Sequence, residues 1–529
     1  MKHLLRFHLK QILKLPFFWV SFWVTGLGLG AFLFLLSGNN TFINYVTEYG
    51  AFTYFEPIIL IVSYGFTVYY LKMETALEAI CLYTKAEIYI GKTLAIMLDS
   101  LLLCTFAVLY VCINAIVQKT GLLFTITALF HMCFLWTMMI LSAESAASFI
   151  CHCVKGAAAY VLCIPVTVFF SFMNRFVFFP FSSKGEASRL SAFFSIQNPF
   201  IYGANIEYAR ARMDLFHIAK FFYVAVGAAV ILCLLFLLLS HKKKIAAAIF
   251  SVLSLLEICC ILLWLWAFPQ PYDADKKLFV STDISQGSEI LGYSGNISLG
   301  EYCSVKCSVS LEPHGQENIR FRLDQCFTIG SLRVDKEELS FERDGDYVVV
   351  SLPDNMEDQI QLDFHYTGRI YYVSNVDVVS LYASRYSAAL PARFALLPAL
   401  DGDSANKQYD LTVTAHNTLV SNLDVDAISR NVYHVNGVSN TCSLFMGYIE
   451  EYEEDGVLFY HAKYNRLTDY RTLYAGTLNR KRLDAFTGEI SEANVAKPKK
   501  VFLLYSHYKN PGFPIQYDDY LLTIGSKLF

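Results

Sequence analysis

Charge is scarce in this chain. Asp, Glu, Lys and Arg make up 17% of its 529 residues, while 55% are hydrophobic, which is too apolar for an average soluble protein. Residues 270–529 lack any apolar run long enough to cross a bilayer, so no span is expected there. The twelve histidines include no pair four apart, and the helical half-site that usually holds a catalytic zinc is therefore missing. No elbow motif surrounds a serine, and the spacing of a calcium-binding loop is absent. Gly91-Lys92-Thr93 copies the end of a phosphate-binding loop, but the first glycine of that pattern is replaced by Ala86. The segment also precedes an apolar run instead of following a strand. No cofactor is expected in this chain; if ATP drives its work, another chain binds the ATP-Mg.

What is present changes character near the middle. Residues 1–268 are dominated by apolar runs, and the change falls at Trp264-Leu265-Trp266-Ala267-Phe268-Pro269-Gln270-Pro271. Two tryptophans closing an apolar run make an interfacial belt, and the prolines stop the helix. Charge divides at the same point. Residues 1–269 hold 18 Lys+Arg and 11 Asp+Glu, a net of +7, and residues 270–529 hold 24 and 35, a net of −11. A basic membrane part suits contact with anionic lipid, an acidic soluble part resists it, and neither resembles a nucleic-acid binder. The expected organisation is a transmembrane domain over 1–268, a linker over 269–284, a β-domain over 285–465 and an α/β extension over 466–529.

Seven apolar runs are assigned as helices: Phe17–Leu36, Tyr54–Leu71, Thr93–Ile116, Leu122–Ser142, Ala157–Phe172, Phe221–Leu239 and Ile245–Phe268. The first lacks a cleavage site and is taken as a retained span. Lys2, Arg6, Lys10 and Lys14, then Lys72, Lys85 and Lys92, then Lys242, Lys243 and Lys244 fall on one side of such a bundle. By the positive-inside rule that side is the cytoplasm, and the carboxyl half lies outside. Residues 173–220 argue the other way, with Arg175, Lys184, Arg189, Arg210, Arg212 and Lys220 in an external loop.

The opening MKHLLRFHLKQILK is amphipathic and suits a helix lying in the membrane interface. The loop KMETALEAICLYTKAEIYIGK, residues 72–92, reads as a short helix followed by a turn and re-entry at Gly91. Together with the spans around it, and with its ending KAEIYIGKTLA, this order resembles the ABC-2 class of ABC transporter permeases over about the first 240 residues. The resemblance implies that Glu74, Glu78, Lys85 and Glu87 lie at the contact with a separate ATPase subunit. It also implies a homodimer or heterodimer of permeases. The family core has six spans, so the seventh here would tether the outer half.

Three ionisable residues fall inside runs: Asp99, His131 and Glu257. A charge at mid-bilayer costs roughly 2.5–3.5 kcal/mol on insertion scales and therefore faces protein or water. Glu257 and His131 are at similar depth and suit a pair. Two readings stand open, an interhelical hydrogen bond or a part in a substrate or proton path.

Past residue 290 the apolar period becomes two. Strands are expected at Ile319–Leu323, Tyr347–Leu352, Gln359–Phe364, Tyr409–Thr414, Val432–Val435 and Val457–Ala462, with a helix near Arg466–Leu483. Asp344-Gly345-Asp346, Pro353-Asp354-Asn355 and Thr367-Gly368 supply turns, and the acidic run Glu450–Asp455 before Gly456 reads as a hairpin. The fold class expected is multi-domain: an α-helical transmembrane bundle of six to seven spans, then an extracellular antiparallel β-sandwich-like domain. Cys303 and Cys307, on one strand, lie about 13 Å apart and need other partners; pairing with Cys326 or Cys442 stays open.

The phrases IRFRLDQCFTIGSLRVDKEELSFERDGDYVVVSLP, IQLDFHYTGRI and LLPALDGDSANKQYDLTVTAHNTLVSNL resemble, in order, the amino-terminal β-domain of M1-family zinc aminopeptidases. Pro398, Asp401, Tyr409, Asp410, Thr412, Thr414, Ser421 and Asn422 stand at the matching places. The resemblance implies a fold over roughly 285–465 and no catalytic residue, because the zinc motif and the amine-binding segment are missing. No enzymatic activity, catalytic residue or metal is expected.

The reading that follows is the membrane subunit of a bacterial ABC-2-type transporter, an exporter in the cytoplasmic membrane. Its outer β-domain would take a peptide or a surface-protein ligand. The alternatives are a membrane-tethered binding or sensory protein without transport, and the non-catalytic half of a split M1-like peptidase.

Overall fold

The computed structural model describes residues 2–36, 56–74, 83–117, 122–181, 184–196, 214–239, 243–273, 287–353, 358–373, 379–391, 394–403, 405–454, 456–462, 499–504, 515–517 and 521–525. Glu78, the expected helix at Arg466–Leu483 and the side chain of His131 lie outside the described residues. The described residues divide into two compact units, with the boundary between Phe268 and Pro269.

The first unit is helical. Its main elements are α1 (Lys2–Ile12), α2 (Pro16–Leu36), α3 (Glu56–Lys72), α4 (Lys85–Ser100), α5 (Cys104–Val117), α6 (Leu122–Cys153), α7 (Cys163–Phe170), α8 (Lys184–Phe194), α9 (Leu215–Leu239) and α10 (Lys243–Ala267). Among the described residues, three helical stretches are long and apolar enough to cross a membrane: Lys85–Phe106, Leu215–Leu239 and Lys243–Ala267. On α10, Ile245, Ile249, Val252, Leu255 and Leu262 are all exposed. An apolar surface of that extent is suited to hydrocarbon and poorly suited to water.

Three expectations change here. The third run does not start at Thr93 after a turn at Gly91; α4 starts at Lys85, and Gly91 sits inside it. The reason is local, because Thr84 caps the helix ahead of the apolar run. The fifth run, Ala157–Phe172, forms a shorter apolar stretch, Ala158–Phe170, interrupted at Leu162. Thirteen residues of helix rise about 20 Å, short of a hydrocarbon core of about 30 Å. The sixth helix begins at Leu215, not Phe221, so Lys220 belongs to a helix and not to an external loop. Asp214 sets that start: its carbonyl accepts from the Ile218 N–H, and its N–H donates to His217 Nδ1 at 3.2 Å.

The second unit is built on sheets. Its largest contains β1 (Glu289–Ser298), β2 (Cys303–Glu312), β3 (Phe327–Val334), β4 (Glu337–Glu338), β5 (Ile360–Gly368), β6 (Lys407–Thr414), β7 (Asp424–Ser429) and β8 (Val432–Ser439). They lie in the order β7-β8-β6-β1-β2-β5-β3-β4. The pairs are antiparallel except at the centre, where β6 runs parallel to β1 with Gln408 opposite Gly292. The wholly antiparallel expectation is corrected at that seam, and again where Tyr272 pairs with Tyr372, Leu458 with Lys500 and Lys500 with Leu521, all in parallel. Period-two alternation explains the strands. Cys303, Val305, Cys307, Val309 and Leu311 of β2 are buried, and the residues between them are not.

A single buried core unites this sheet with two smaller ones. Val305, Phe364 and Leu411 come from the large sheet, and Ile319, Phe321, Val348 and Val350 from the strands Asn318–Arg322 and Tyr347–Ser351. Leu390, Leu444 and Met446 come from Ala388–Leu390 and Leu444–Gly447. Each such side chain contributes about 1.5–3 kcal/mol on leaving water. Farther along, Ile449–Glu454 and Val457–Ala462 form the acidic hairpin, which joins a five-stranded sheet.

Cys303, Cys307 and Cys326 are buried and Cys442 partly so, and all four are free. Burial pushes the Cys303 thiol up to about 11 and the Cys307 thiol up to about 12. The sign follows from linkage: unfolded thiols ionise first, so this contribution is intact below the ordinary value of 9.0 and declines as pH rises toward about 11–12. Alkaline titration followed by near-ultraviolet circular dichroism should show the sheet unit losing structure over that range. Cys303→Val with Cys307→Val should flatten the loss.

Candidate functional site

Two arrangements in the helical unit carry chemistry, one at the start of α4 and one around Lys220. The first begins with a reciprocal cap. The Glu87 N–H donates to Thr84 Oγ1 at 3.2 Å, and Glu87 Oε2 accepts from both the Thr84 N–H and its hydroxyl at 2.9 Å. Behind the cap, buried Lys92 reaches back along α4, and its Nζ donates to the Met73 carbonyl at 2.5 Å. The two ends of the 73–84 loop are thereby stapled together. Tyr89 donates to the Ser148 carbonyl at 2.6 Å and ties α4 to α6. Lys72 donates to the Gly156 carbonyl from the other end of the loop.

Of the residues expected at an ATPase contact, Glu74 and Lys85 are exposed at the two edges of this loop. Glu87 is exposed too, but its carboxylate is engaged in the cap. A Thr-x-x-Glu pattern before an apolar run is a sequence signal for that role.

The second arrangement was hidden in the sequence. Lys220 on α9 is 1% exposed. Its ammonium donates to the carbonyls of Ala192 at 2.9 Å and Phe193 at 2.6 Å, and to the Tyr223 hydroxyl. Those carbonyls belong to the last turn of α8, where a cation complements the helix dipole. The Tyr223 ring lies 4.2 Å from Nζ and the Trp264 ring 5.5 Å away. Two carboxylates act on the ammonium electrostatically, Glu56 of α3 and Glu257 of α10. Glu56 is fully buried. A Cβ at position 227 would stand 3.1 Å from Glu257 Oε1, so Gly227 leaves α9 open to that carboxylate.

Among the three expected intramembrane residues, Glu257 thus has Lys220 as its charged neighbour. Asp99 is buried on α4 at 6% exposure, and its Oδ2 has no hydrogen-bond partner among the described residues. His131 falls on α6. Glu56, Glu144 and Lys220 were not singled out from sequence, although all three are buried. The signal for Lys220 was Asp214, which marks a helix start upstream of the apolar run.

In the sheet unit, Glu289, Glu312 and His314 bring ligand-type atoms within 4.8 Å of one another. Glu289 and Glu312 are cross-strand partners, and His314 Nε2 lies 3.7 Å from Glu312 Oε2 at an open surface.

No family profile matches this chain, and no curated protein matches it. Solved structures do. An M1 zinc metallopeptidase from Deinococcus radiodurans is similar at 13% identity and a TM-score of 0.34, over 46% of this chain and 62% of its own. Native LTA4 hydrolase from yeast is similar at 10% identity and a TM-score of 0.33, over 48% of this chain and 43% of its own. The chain thus spans less than two thirds of either structure.

Thr84→Ala should cost the start of α4 about 1 kcal/mol. Hydrogen exchange at the amides of residues 85–88 should accelerate in that variant and stay slow in Glu87→Gln, which preserves the reciprocal bond. Lys220→Met leaves buried acceptors and carboxylates unmatched and should cost about 3–5 kcal/mol of thermal stability in detergent. Adding Glu257→Gln should recover part of the loss if the two groups are coupled.

Proposed function

We propose that this chain is the membrane subunit of an ABC-2-type transporter, an exporter driven by a separate ATPase. In this reading the helical unit crosses the bacterial cytoplasmic membrane six to seven times and pairs with a second permease. The sheet unit stands outside, with an M1-like amino-terminal β-fold that receives a substrate or a surface partner. ATP-Mg is handled by the partner chain.

The observation that carries the proposal is the stapled loop base. Met73, where the chain leaves α3, is joined by Lys92 to α4, and Thr84 leads directly into a capped helical stretch of span length. A force applied to such a loop moves α4, and Tyr89 passes the movement to α6. That is the mechanical property a coupling segment requires. The exposed carboxylate of Glu74 and the ammonium of Lys85 supply charges for an ATPase surface. Glu87 serves chiefly to hold the helix start.

The test is mild-detergent purification from the native cell with mass spectrometry of stoichiometric companions. A P-loop ATPase is expected among them. Glu74→Lys with Glu78→Lys should abolish its stimulated ATP hydrolysis while the chain still inserts; Glu87→Gln should leave it within about twofold. Absence of an ATPase, with an outer-surface protein in its place, would overturn the transporter reading in favour of a tethered binding protein. A zinc peptidase chain in its place would favour the split-peptidase alternative.

A further inference from the structure

The amino-terminal helix was expected to lay its apolar face in the membrane interface. The structure uses that face differently. Leu4, His8 and Ile12 are buried within the protein. A Cβ on Gly91 of α4 would come within 2.9 Å of Leu4 and 3.3 Å of His8, so the two helices approach closely there. His8 Nδ1 shares a hydrogen bond of 3.0 Å with the Tyr70 hydroxyl of α3. The apolar face is therefore occupied, and the face left outward is cationic.

That outward face is regular. Lys2, Arg6, Lys10 and Lys14 recur every fourth residue and are all exposed. On α1, Lys2, Arg6 and Lys10 are separated by about 6 Å along the axis and make an inclined row, and Lys14 lies in the turn that follows Ile12. Among the described residues no ion pair engages any of the four. The sequence supplies no local neutraliser, because the first acidic residue in the chain is Glu48.

A second observation fixes the surroundings of the row. Immediately after Lys14, Phe17, Trp19 and Trp23 are exposed at 44%, 40% and 53%. The Trp19 indole donates to the Leu13 carbonyl at 2.8 Å, so its ring is held beside the end of the row. Exposed aromatic rings with a fixed polar edge belong at the level where headgroups meet acyl chains. Lys10 and Lys14, within about two turns of such a belt, stand at headgroup depth, and the row runs on from them to Lys2.

We propose that α1 is a protein-docked cationic strut whose row Lys2, Arg6, Lys10 and Lys14 binds the phosphates of anionic phospholipids. The inference rests on the membrane reading given above and adds the lipid class and the residues. The row selects for net negative headgroups by charge and holds the α1–α4 face against the bilayer. No acyl contact from α1 is needed.

The test uses the purified full chain in mixed micelles of phosphatidylcholine and phosphatidylglycerol, with retained lipid read by native mass spectrometry. The unaltered chain should retain phosphatidylglycerol above its bulk share. A variant carrying Lys2→Gln, Arg6→Gln, Lys10→Gln and Lys14→Gln should lose that enrichment, by about fivefold for each cation removed. Lys2→Arg, Arg6→Lys, Lys10→Arg and Lys14→Arg together should keep it. Unchanged enrichment in the glutamine variant, while it remains folded and monodisperse, would overturn the inference. So would equal loss in the charge-preserving variant. The membrane reading is checked separately by carbonate washing of native vesicles: release of the unaltered chain would overturn that reading itself.

Discussion

An ammonium group kept from water is the constraint around which the helical unit is arranged. Lys220 is buried, at 1% exposure. Removing an ion from water costs several kcal/mol even after relaxation, and only well-placed acceptors offset it. The acceptors come from the end of α8. Tyr223 and Trp264 close the sides. Lys220 thus ties α9 to the end of α8 and, through the Trp264 ring, to α10. Dispersion between apolar helices in lipid is nearly as favourable with lipid as with protein, so polar ties of this kind decide which arrangement is unique.

The start of α4 obeys the same logic at lower stakes. Its exposed N–H groups are met by Thr84 and Glu87, and its first turns are braced by Lys92 and Tyr89. α1 leans on the same helix at Gly91. Rigidity at this point and charge at its edges are separate properties of neighbouring residues. Glu87 provides the first, while Glu74 and Lys85 are free to provide the second.

Much of the sheet unit was legible in sequence because its strands alternate cleanly. Val457–Ala462 has the expected ends, and Tyr347–Ser351 and Lys407–Thr414 lie within two residues of theirs. Period two also placed Cys303 and Cys307 on one face. Their free state was not legible, since pairing depends on neighbours brought by other strands. The parallel seam between β1 and β6 was equally hidden, because alternation reports which face a residue occupies and not which strand lies beside it. Hydropathy alone places the two helix starts too late. Lys85–Glu87 and Leu215–Lys220 are polar or mixed turns placed ahead of apolar runs; Thr84 caps the first, and the Asp214 carbonyl accepts the first helical bond of the second. Of the candidate site, the charged edges of the loop and Glu257 were visible in one dimension. Lys220 was visible only as a loop cation until the helix gained its first turn.

The parallel seam also bears on how the sheet unit comes into being. Its central strand β1 is flanked on one side by β2, its neighbour in sequence, and on the other by β6, with Gly292 opposite Gln408. Hairpin contacts form early because little chain must be closed, whereas a pairing across so long a separation waits on loop closure. Until β6 has paired with it, β1 presents an unsatisfied edge to its surroundings. An open edge of that kind is a template for pairing with other chains. Folding of this unit is therefore a race between completing its own seam and acquiring a foreign strand.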